Sequence, residues 1–104
     1  MAVAQVAQFR ITPGKAVEFN AQVAEAKKIQ ERLGARVRVW QATAAGPNTG
    51  LVSYVIEHKD LAEFAAFSDK LNADAAWQAF VAKAFVANPT GTLISAALAN
   101  EITP

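Results

Sequence analysis

The order in which strand-like and helix-like periodicities follow one another constrains the fold of this chain more than any other feature. Alternation of apolar and polar residues predicts strands over residues 3–11, 36–43 and 51–58, and a last strand that begins at Thr92. Apolar residues at three- and four-residue spacing predict helical regions between Ile11 and Gly34 and again after Asp60. The order strand–helix–strand–strand–helix–strand predicts a ferredoxin-like α+β sandwich, with both helices on one face of a four-stranded antiparallel sheet.

Short polar residues and glycine mark where the helices should begin and end. Thr12 is a candidate N-cap with Pro13 at the first helical position, and Gly34 suits a left-handed C-cap. Asp60 and Asp74 can cap two successive helical segments, because Asn72 to Asp74 looks like a break. The first helix carries an apolar stripe of Ala16, Phe19, Val23, Ala26, Gln30 and Leu33.

The two middle strands are predicted to form a hairpin around AAGPNTG, residues 44–50. We expect Trp40 to lie opposite Tyr54 and Val39 to lie opposite Val55. We call this an even register, because the numbers of two paired residues add up to an even number. This register would place Val37, Val39, Leu51 and Val55 beneath the helices. The other face of the hairpin would then carry Arg36, Arg38, Trp40, Val52, Tyr54, Ile56 and His58.

A sheet of this kind has one face that no helix covers. From strand spacing and rise, its area is about 400 Å², within the range in which an exposed apolar patch indicates a partner. The simplest partner is a second copy packed face to face by two-fold symmetry, so the sequence predicts a homodimer through the sheet face.

Composition narrows the possible classes. A chain of 104 residues predicts one domain over 1–104, and 53% hydrophobic residues exclude general disorder. The net charge of +1 comes from scattered residues, so no nucleic-acid partner is expected. No secretion signal or membrane-spanning segment is evident, which predicts no membrane partner. The absence of cysteine excludes disulfides and thiolate metal sites and fits a cytoplasmic location.

Three segments carry a resemblance to a known group of proteins: FRITPGKAVEF at 9–19, YVIEHKDLAEF at 54–64, and ADAAWQAFVAKA at 73–84. The chain resembles the dimeric α/β-barrel superfamily, and most closely its NIPSNAP-like branch, which is related to the EthD and antibiotic-biosynthesis-monooxygenase families. The resemblance implies that two sandwiches pack sheet to sheet around a space that often binds a small organic molecule, sometimes haem.

Two features depart from the reactive members of these families. The aromatic residue that NIPSNAP-like chains tend to carry at the position of Ile56 is absent. Members that bind haem use an axial histidine, whereas His58 lies at a strand end. The resemblance therefore supports the fold and the dimer more than an activity, and no cofactor is predicted.

Candidate site residues come from the sheet face predicted to be open. Trp40 and Tyr54 offer an aromatic wall, and Arg38 could hold a carboxylate, phenolate or enolate oxygen. Gln8 and Arg10 join this face from the first strand in the predicted pattern. The alternative is that these residues pack a dimer interface, where aromatic residues and arginine are favoured.

His58 is the weak candidate for a catalytic base, since imidazole titrates near neutrality. Its place beside Glu57 and Lys59 predicts solvent access, which favours a structural or merely exposed role over catalysis. It has no second histidine or cysteine with which to form a transition-metal site, so no metal is predicted. Trp77, Phe80 and Phe85 are predicted to be core residues rather than cofactor contacts.

Three functions fit this pattern. The first is a homodimer that binds a small organic molecule between the sheets. The second is a cofactor-independent monooxygenase, isomerase or cyclase that acts on an aromatic or polyketide-like compound. The third is a dimer whose sheet face is filled by its own side chains. The residues alone do not decide between an enzyme and a binding protein, because no set of side chains has a demanding catalytic geometry.

Overall fold

The computed structural model describes residues 1–102 and confirms the predicted element order. The strands are β1 (Val3–Ile11), β2 (Arg36–Gln41), β3 (Val52–His58) and β4 (Gly91–Asn100). The helices are α1 (Ala16–Arg32), α2 (Leu61–Ala73) and α3 (Ala75–Val81), and a π-helical segment (Ala82–Ala87) continues α3. All neighbouring strands are antiparallel, in the order β2-β3-β1-β4. This is the predicted ferredoxin-like sheet.

Helix α1 begins later than its sequence predicts. Thr12 does not cap it; instead the Lys15 N–H donates to the Thr12 carbonyl oxygen at 2.9 Å in a turn, and Lys15 occupies the N-cap. Gly14 has a φ of 81°, a left-handed conformation that interrupts a right-handed helix. At the other end the prediction is confirmed, because Gly34 has a φ of 99° and its N–H donates to the Glu31 carbonyl oxygen at 3.0 Å.

The aspartate caps of α2 and α3 are confirmed. Asp60 accepts from the Glu63 N–H at 2.8 Å, and Asp74 accepts from the Trp77 N–H at 2.9 Å. The Asp74 carboxylate also accepts two bonds from Arg32, at 2.9 and 3.0 Å. The Arg32 guanidinium, followed by the Trp77 N–H, lowers the pKa of Asp74. One carboxylate therefore begins α3 and ties it to the end of α1.

The predicted register of the hairpin is wrong by one residue. Val39 lies opposite Tyr54, and Trp40 lies opposite Ser53. The loop closes with Ala42 N–H donating to the Leu51 carbonyl oxygen at 2.9 Å, which fixes an odd register. A slip of one residue turns every side chain of a strand to the other face. Tyr54, Ile56, Val52 and His58 therefore face the helices, while Ser53, Val55 and Glu57 face away.

The physical reason for this register lies in β3. The face that points to the helices buries Val52, Ile56 and His58, whereas the predicted alternative would have buried the carboxylate of Glu57. Burying an unpaired charge costs far more than exposing Val55. Glu57 instead lies opposite Arg36, and its carboxylate is 3.9 Å from Arg38 Nε.

Two clusters of buried residues form much of the core, one between α2 and the β2–β3 hairpin and one among α1, α3 and the π-helical segment. One contains Ala35, Val37, Ile56 and Phe67, and the other contains Ala26, Phe80 and Ala84. Tyr54 packs against both clusters. The stripe predicted on α1 is confirmed at Phe19, Ala26 and Gln30, which are buried. Within residues 1–102, no helix has both the length and the apolar composition needed to span a membrane.

Strand β4 differs from the other strands because the helices leave it largely uncovered. It lies at the sheet edge, and both Leu93 and Leu98 are about half-exposed although they point to the helix side. The pairing with β1 shifts between Gln8 and Phe9, where Ile94 is the additional residue of a β-bulge. The helix layer is therefore open toward β4.

Candidate functional site: a cavity between the helices and the sheet

A cavity of about 770 Å³ lies between the helix layer and the β1–β4 side of the sheet. Its walls come from every layer of the fold: Ala7 and Phe9 of β1, Val23 and Ala26 of α1, and Ala96 and Leu98 of β4. The size is in the range typical of sites for small organic molecules. The cavity was not predicted, because the sequence analysis placed the site on the opposite face of the sheet.

Aromatic rings form the wall contributed by α3 and the π-helical segment. Trp77 stacks on Phe80 with ring centroids 5.3 Å apart, and Phe85 meets Phe80 edge-on at 5.6 Å. All three line the cavity. The prediction that they are core residues holds for Phe80, which is 3% exposed, but is incomplete for Phe85, which is 51% exposed. A second pair, Phe9 and Phe19, has centroids 6.1 Å apart.

No charged side chain of the described residues lines this cavity. Its polar side chains are those of Gln5, Gln22, Gln30, Tyr54 and Thr90, and the indole of Trp77 adds one N–H group. A ligand with a net charge would lose its hydration without gaining a counter-ion, which is strongly unfavourable. The cavity therefore suits an uncharged and largely apolar molecule.

Tyr54 acts in this cavity as a hydrogen-bond donor. Its hydroxyl donates to Gln30 Oε1, and Gln30 is itself buried on α1. Burial, and then the nearby Glu31 carboxylate, raises the pKa of Tyr54 above its ordinary value. The phenol therefore keeps its proton at physiological pH and cannot serve as a base.

At the beginning of β4, the strand closely approaches α1. Thr90 Oγ1 donates to Gln22 Oε1 at 2.6 Å, and Gln22 Nε2 donates to the Asn88 carbonyl oxygen at 3.0 Å. A Cβ atom on Gly91 would lie 2.9 Å from Cε2 of Phe19, so a side chain there would press on a cavity wall. The amide oxygen and the amide nitrogen of Gln22 therefore each have a hydrogen-bond partner within the protein.

The sequence profile of the NIPSNAP family matches residues 4–94, which is most of the chain. This chain belongs to the NIPSNAP family. The resemblance inferred from three segments of the sequence is therefore confirmed. A search of curated proteins finds no match.

Solved structures of other NIPSNAP proteins share the fold. An uncharacterized NIPSNAP domain protein from Burkholderia xenovorans is 25% identical, with a TM-score of 0.74 over 98% of this chain and 95% of that one. A NIPSNAP family protein from Agrobacterium tumefaciens str. C58 is 23% identical, with a TM-score of 0.71 over 95% and 90% of the two chains. A putative antibiotic biosynthesis monooxygenase from Bordetella bronchiseptica has a TM-score of 0.64 at 14% identity, covering 98% of each chain, and shows a likeness of fold.

The residues predicted to bind a ligand in this NIPSNAP domain lie on two different faces. Gln8, Arg10, Arg38 and Trp40 lie on the face turned away from the helices, which we call the open face, and Tyr54 lies in the cavity. The predicted grouping of Tyr54 with Arg38 and Trp40 is wrong, because it depended on the even register. Trp40, Ser53, Gln8 and Ser95 instead form one row across the open face.

On the open face, the polar side chains bind mainly one another. Gln8 Oε1 accepts from Ser95 Oγ at 3.0 Å, and Gln8 Nε2 is 3.5 Å from Ser53 Oγ. Trp40 is 61% exposed and Arg10 is exposed. Beside Trp40, this surface therefore carries the polar side chains of Gln8, Ser53 and Ser95 rather than the predicted Tyr54.

His58 is buried rather than open to solvent, and it does not line the cavity. It is 1% exposed, and its ring packs against Phe64 and Phe67 with centroids 5.5 and 5.3 Å away. Its Nε2 lies 3.0 Å from Oε1 of Gln5, which does line the cavity. His58 therefore supports a cavity residue from behind, and its predicted solvent access is wrong.

Stability should depend on pH through His58. Burial lowers the pKa of His58, an effect that the Glu63 carboxylate opposes and Arg36 reinforces. In the unfolded chain the imidazole has a pKa of about 6.5, so it becomes protonated at a higher pH than in the folded protein. The contribution of neutral His58 to the free energy of unfolding should be complete above about pH 6.5. It should fall as the pH drops toward the lowered pKa of His58 in the folded protein, by at most about 1.4 kcal/mol per pH unit for one proton.

Urea unfolding between pH 7.5 and 5 would measure this dependence. His58→Gln, which keeps an amide donor for Gln5, should lose the part of the slope that belongs to the imidazole. Parallel curves for the two proteins would show that His58 does not control stability in this range.

Sequence reasoning missed Gln5, Phe9 and Phe19 as site residues. One signal was present: Gln30 occupies the apolar stripe of α1, where a polar side chain must find a partner if it is buried. Its partner, Tyr54, faces it only in the odd register.

Proposed function

We propose that this NIPSNAP domain binds a small, uncharged, largely apolar organic molecule in the cavity between its helices and its sheet. The observation that carries the proposal is a cavity of about 770 Å³ with aromatic walls, a few polar side chains and no charged lining residue among those described. The position differs from the space between two sheets that the sequence analysis favoured. A cytoplasmic location forms part of the proposal and agrees with the absence of cysteine.

Binding is favoured over catalysis by the chemistry of the lining residues. Tyr54 keeps its proton because its pKa is raised, and His58 lies behind the wall. Binding without chemical change therefore fits the described side chains better than an oxygenase, isomerase or cyclase.

Filling the cavity should weaken ligand binding. Ala96 lines it from β4, and Ala96→Phe would place a ring in the space that a ligand needs. Titration with Nile red, an uncharged dye that fluoresces in apolar surroundings, should show saturable binding to the unaltered protein. We expect at least about tenfold weaker binding to the variant, because ligand and ring compete for one volume.

The matched control is Ala66→Phe, an exposed position on α2 that does not line the cavity. It should bind the dye like the unaltered protein. Equal dye binding by both variants, or none by the unaltered protein, would contradict the proposed site. Native mass spectrometry of the purified protein would add the mass of any molecule that accompanies it.

We also propose that two copies pack through the open face. The exposed indole of Trp40 and the apolar side chains of Val6, Val55 and Ala97 in the adjacent row support this partner. The helices leave this whole face uncovered, and a second copy is the simplest cover for it. Sedimentation velocity should then give twice the 11.0 kDa of one chain.

A further inference from the structure

Two side-chain amides in the cavity have their oxygen atoms already occupied. Oε1 of Gln5 lies 3.0 Å from Nε2 of His58, and Oε1 of Gln30 accepts from the Tyr54 hydroxyl. The partners come from behind or beside the cavity wall. Both glutamines are therefore held with their oxygens turned toward protein donors.

The nitrogen atoms of these amides are in a different position. Neither Gln5 Nε2 nor Gln30 Nε2 has a hydrogen-bond partner among residues 1–102, whereas each fully buried side-chain nitrogen or oxygen atom of those residues has one. Both nitrogens must therefore retain some accessible surface, and both residues line the cavity. Each NH₂ group is a donor available to whatever occupies that space.

The sheet register brings the two donors to the same part of the cavity. Gln5 lies opposite Ile56, and Tyr54 lies two residues along β3 on the same face. Diagonal neighbours of this kind are about 7–8 Å apart at Cα, within reach of long side chains. Gln30 is bonded to Tyr54, so its amide lies at the same end of the cavity as that of Gln5.

The other glutamine of the cavity differs, because both its amide oxygen and its amide nitrogen have partners in the protein. Gln22 Nε2 already donates to the Asn88 carbonyl oxygen, and Gln22 Oε1 accepts from Thr90. Gln5 and Gln30 are therefore the two glutamines of the cavity whose NH₂ groups have no partner among residues 1–102, and these groups are donors. Such a site is complementary to a ligand oxygen that only accepts.

Taking these contacts together, we propose that the cavity selects uncharged ring compounds that carry a carbonyl oxygen, which accepts hydrogen bonds from the amides of Gln5 and Gln30. This inference rests on the proposed binding function and narrows its ligand class. Carboxylates are excluded by the lack of a cationic lining residue. Simple hydrocarbons leave both donors without a partner, which is unfavourable once water has been displaced.

Fluorenone and fluorene test this inference, because the two rigid ring systems differ only in a carbonyl in place of a methylene group. An apolar cavity without free donors would prefer fluorene, since burying an unpaired carbonyl is unfavourable. With the two amides as donors, fluorenone should bind about tenfold more tightly, which corresponds to about 1.4 kcal/mol. Equilibrium dialysis of each compound against the full chain measures the ratio.

Variants locate the preference. Gln5→Leu and Gln30→Leu should each reduce the fluorenone preference to about threefold or less. Gln78→Leu, the matched control at an exposed glutamine of α3 that does not line the cavity, should leave it unchanged. Because Gln30 is buried and Gln30→Leu removes its hydrogen bond with Tyr54, the unaltered protein gives a second measurement. The side-chain amide NMR signals of Gln5 and Gln30 should shift with fluorenone and not with fluorene.

The outcomes separate this inference from the proposed function. Equal binding of both compounds, or tighter binding of fluorene, would overturn the carbonyl preference and leave small-molecule binding intact. Absence of binding by either compound would count against the proposed function, and the inference would fall with it. A preference that persists in both Gln5→Leu and Gln30→Leu would overturn the assignment to Gln5 and Gln30.

Discussion

Replacing Phe80 with alanine is expected to lower the free energy of unfolding by about 3–5 kcal/mol, the usual effect of removing a buried phenylalanine ring. Phe80 is 3% exposed, belongs to the cluster with Ala26 and Ala84, and stacks on Trp77 at 5.3 Å. The loss is a large part of the about 5–15 kcal/mol that stabilises a typical domain. Chemical denaturation followed by circular dichroism would measure it.

Phe85→Ala is the matched control, because this ring belongs to the same cavity wall and is 51% exposed. It should cost no more than about 1.5 kcal/mol, since a half-exposed ring removes much less surface from water. Its principal effect should be weaker dye binding. Equal destabilisation by the two substitutions would contradict this prediction, because the loss of stability would then not follow the difference in burial between Phe80 and Phe85.

Replacing Trp40 with glutamate is expected to weaken the proposed dimer by at least about thirtyfold, because an interface tryptophan commonly contributes about 2 kcal/mol or more. The indole is 61% exposed in one chain and lies on the open face. A carboxylate at this position would have to be desolvated on association. Sedimentation velocity over a concentration series gives the dissociation constant for each protein.

Val17→Glu is the control for added charge, since Val17 is 79% exposed on α1, away from the open face. It should leave the dissociation constant unchanged. A single 11.0 kDa species at all concentrations of the unaltered chain would contradict the proposed dimer. Equal weakening by both substitutions would show that net charge, rather than the sheet face, controls association.

The sequence predicted the fold well because its signals are local. Strand β1 has the predicted bounds, Gly34 ends α1 with a left-handed conformation, and Asp60 and Asp74 cap their helices. Each of these features depends on a few neighbouring residues and their conformational preferences. The family resemblance was also carried by contiguous segments, and the family match bears it out.

The site was harder to predict because it depends on which face of β3 is buried. Both faces of that strand contain apolar residues, so alternation alone did not distinguish them. Glu57 could have decided the question, because only one register keeps its carboxylate out of the core. Once Tyr54 was placed on the wrong face, its partner Gln30 and the cavity between them could not be recognised.

The π-helical segment also had no signal in the sequence, since Ala82–Ala87 contains mainly small and apolar residues that suit an ordinary helix. This segment changes the direction in which Phe85 points around the helix axis. In an α-helix with 3.6 residues per turn, positions 80 and 85 would differ by about 140° around the axis and point in different directions. Bonds between residues five apart, such as Asn88 N–H to the Lys83 carbonyl oxygen at 3.0 Å, widen the turn. The wider turn brings the Phe85 ring back over Phe80. The shape of the binding space therefore depends on a local change of helical phase that no sequence pattern in this segment predicts.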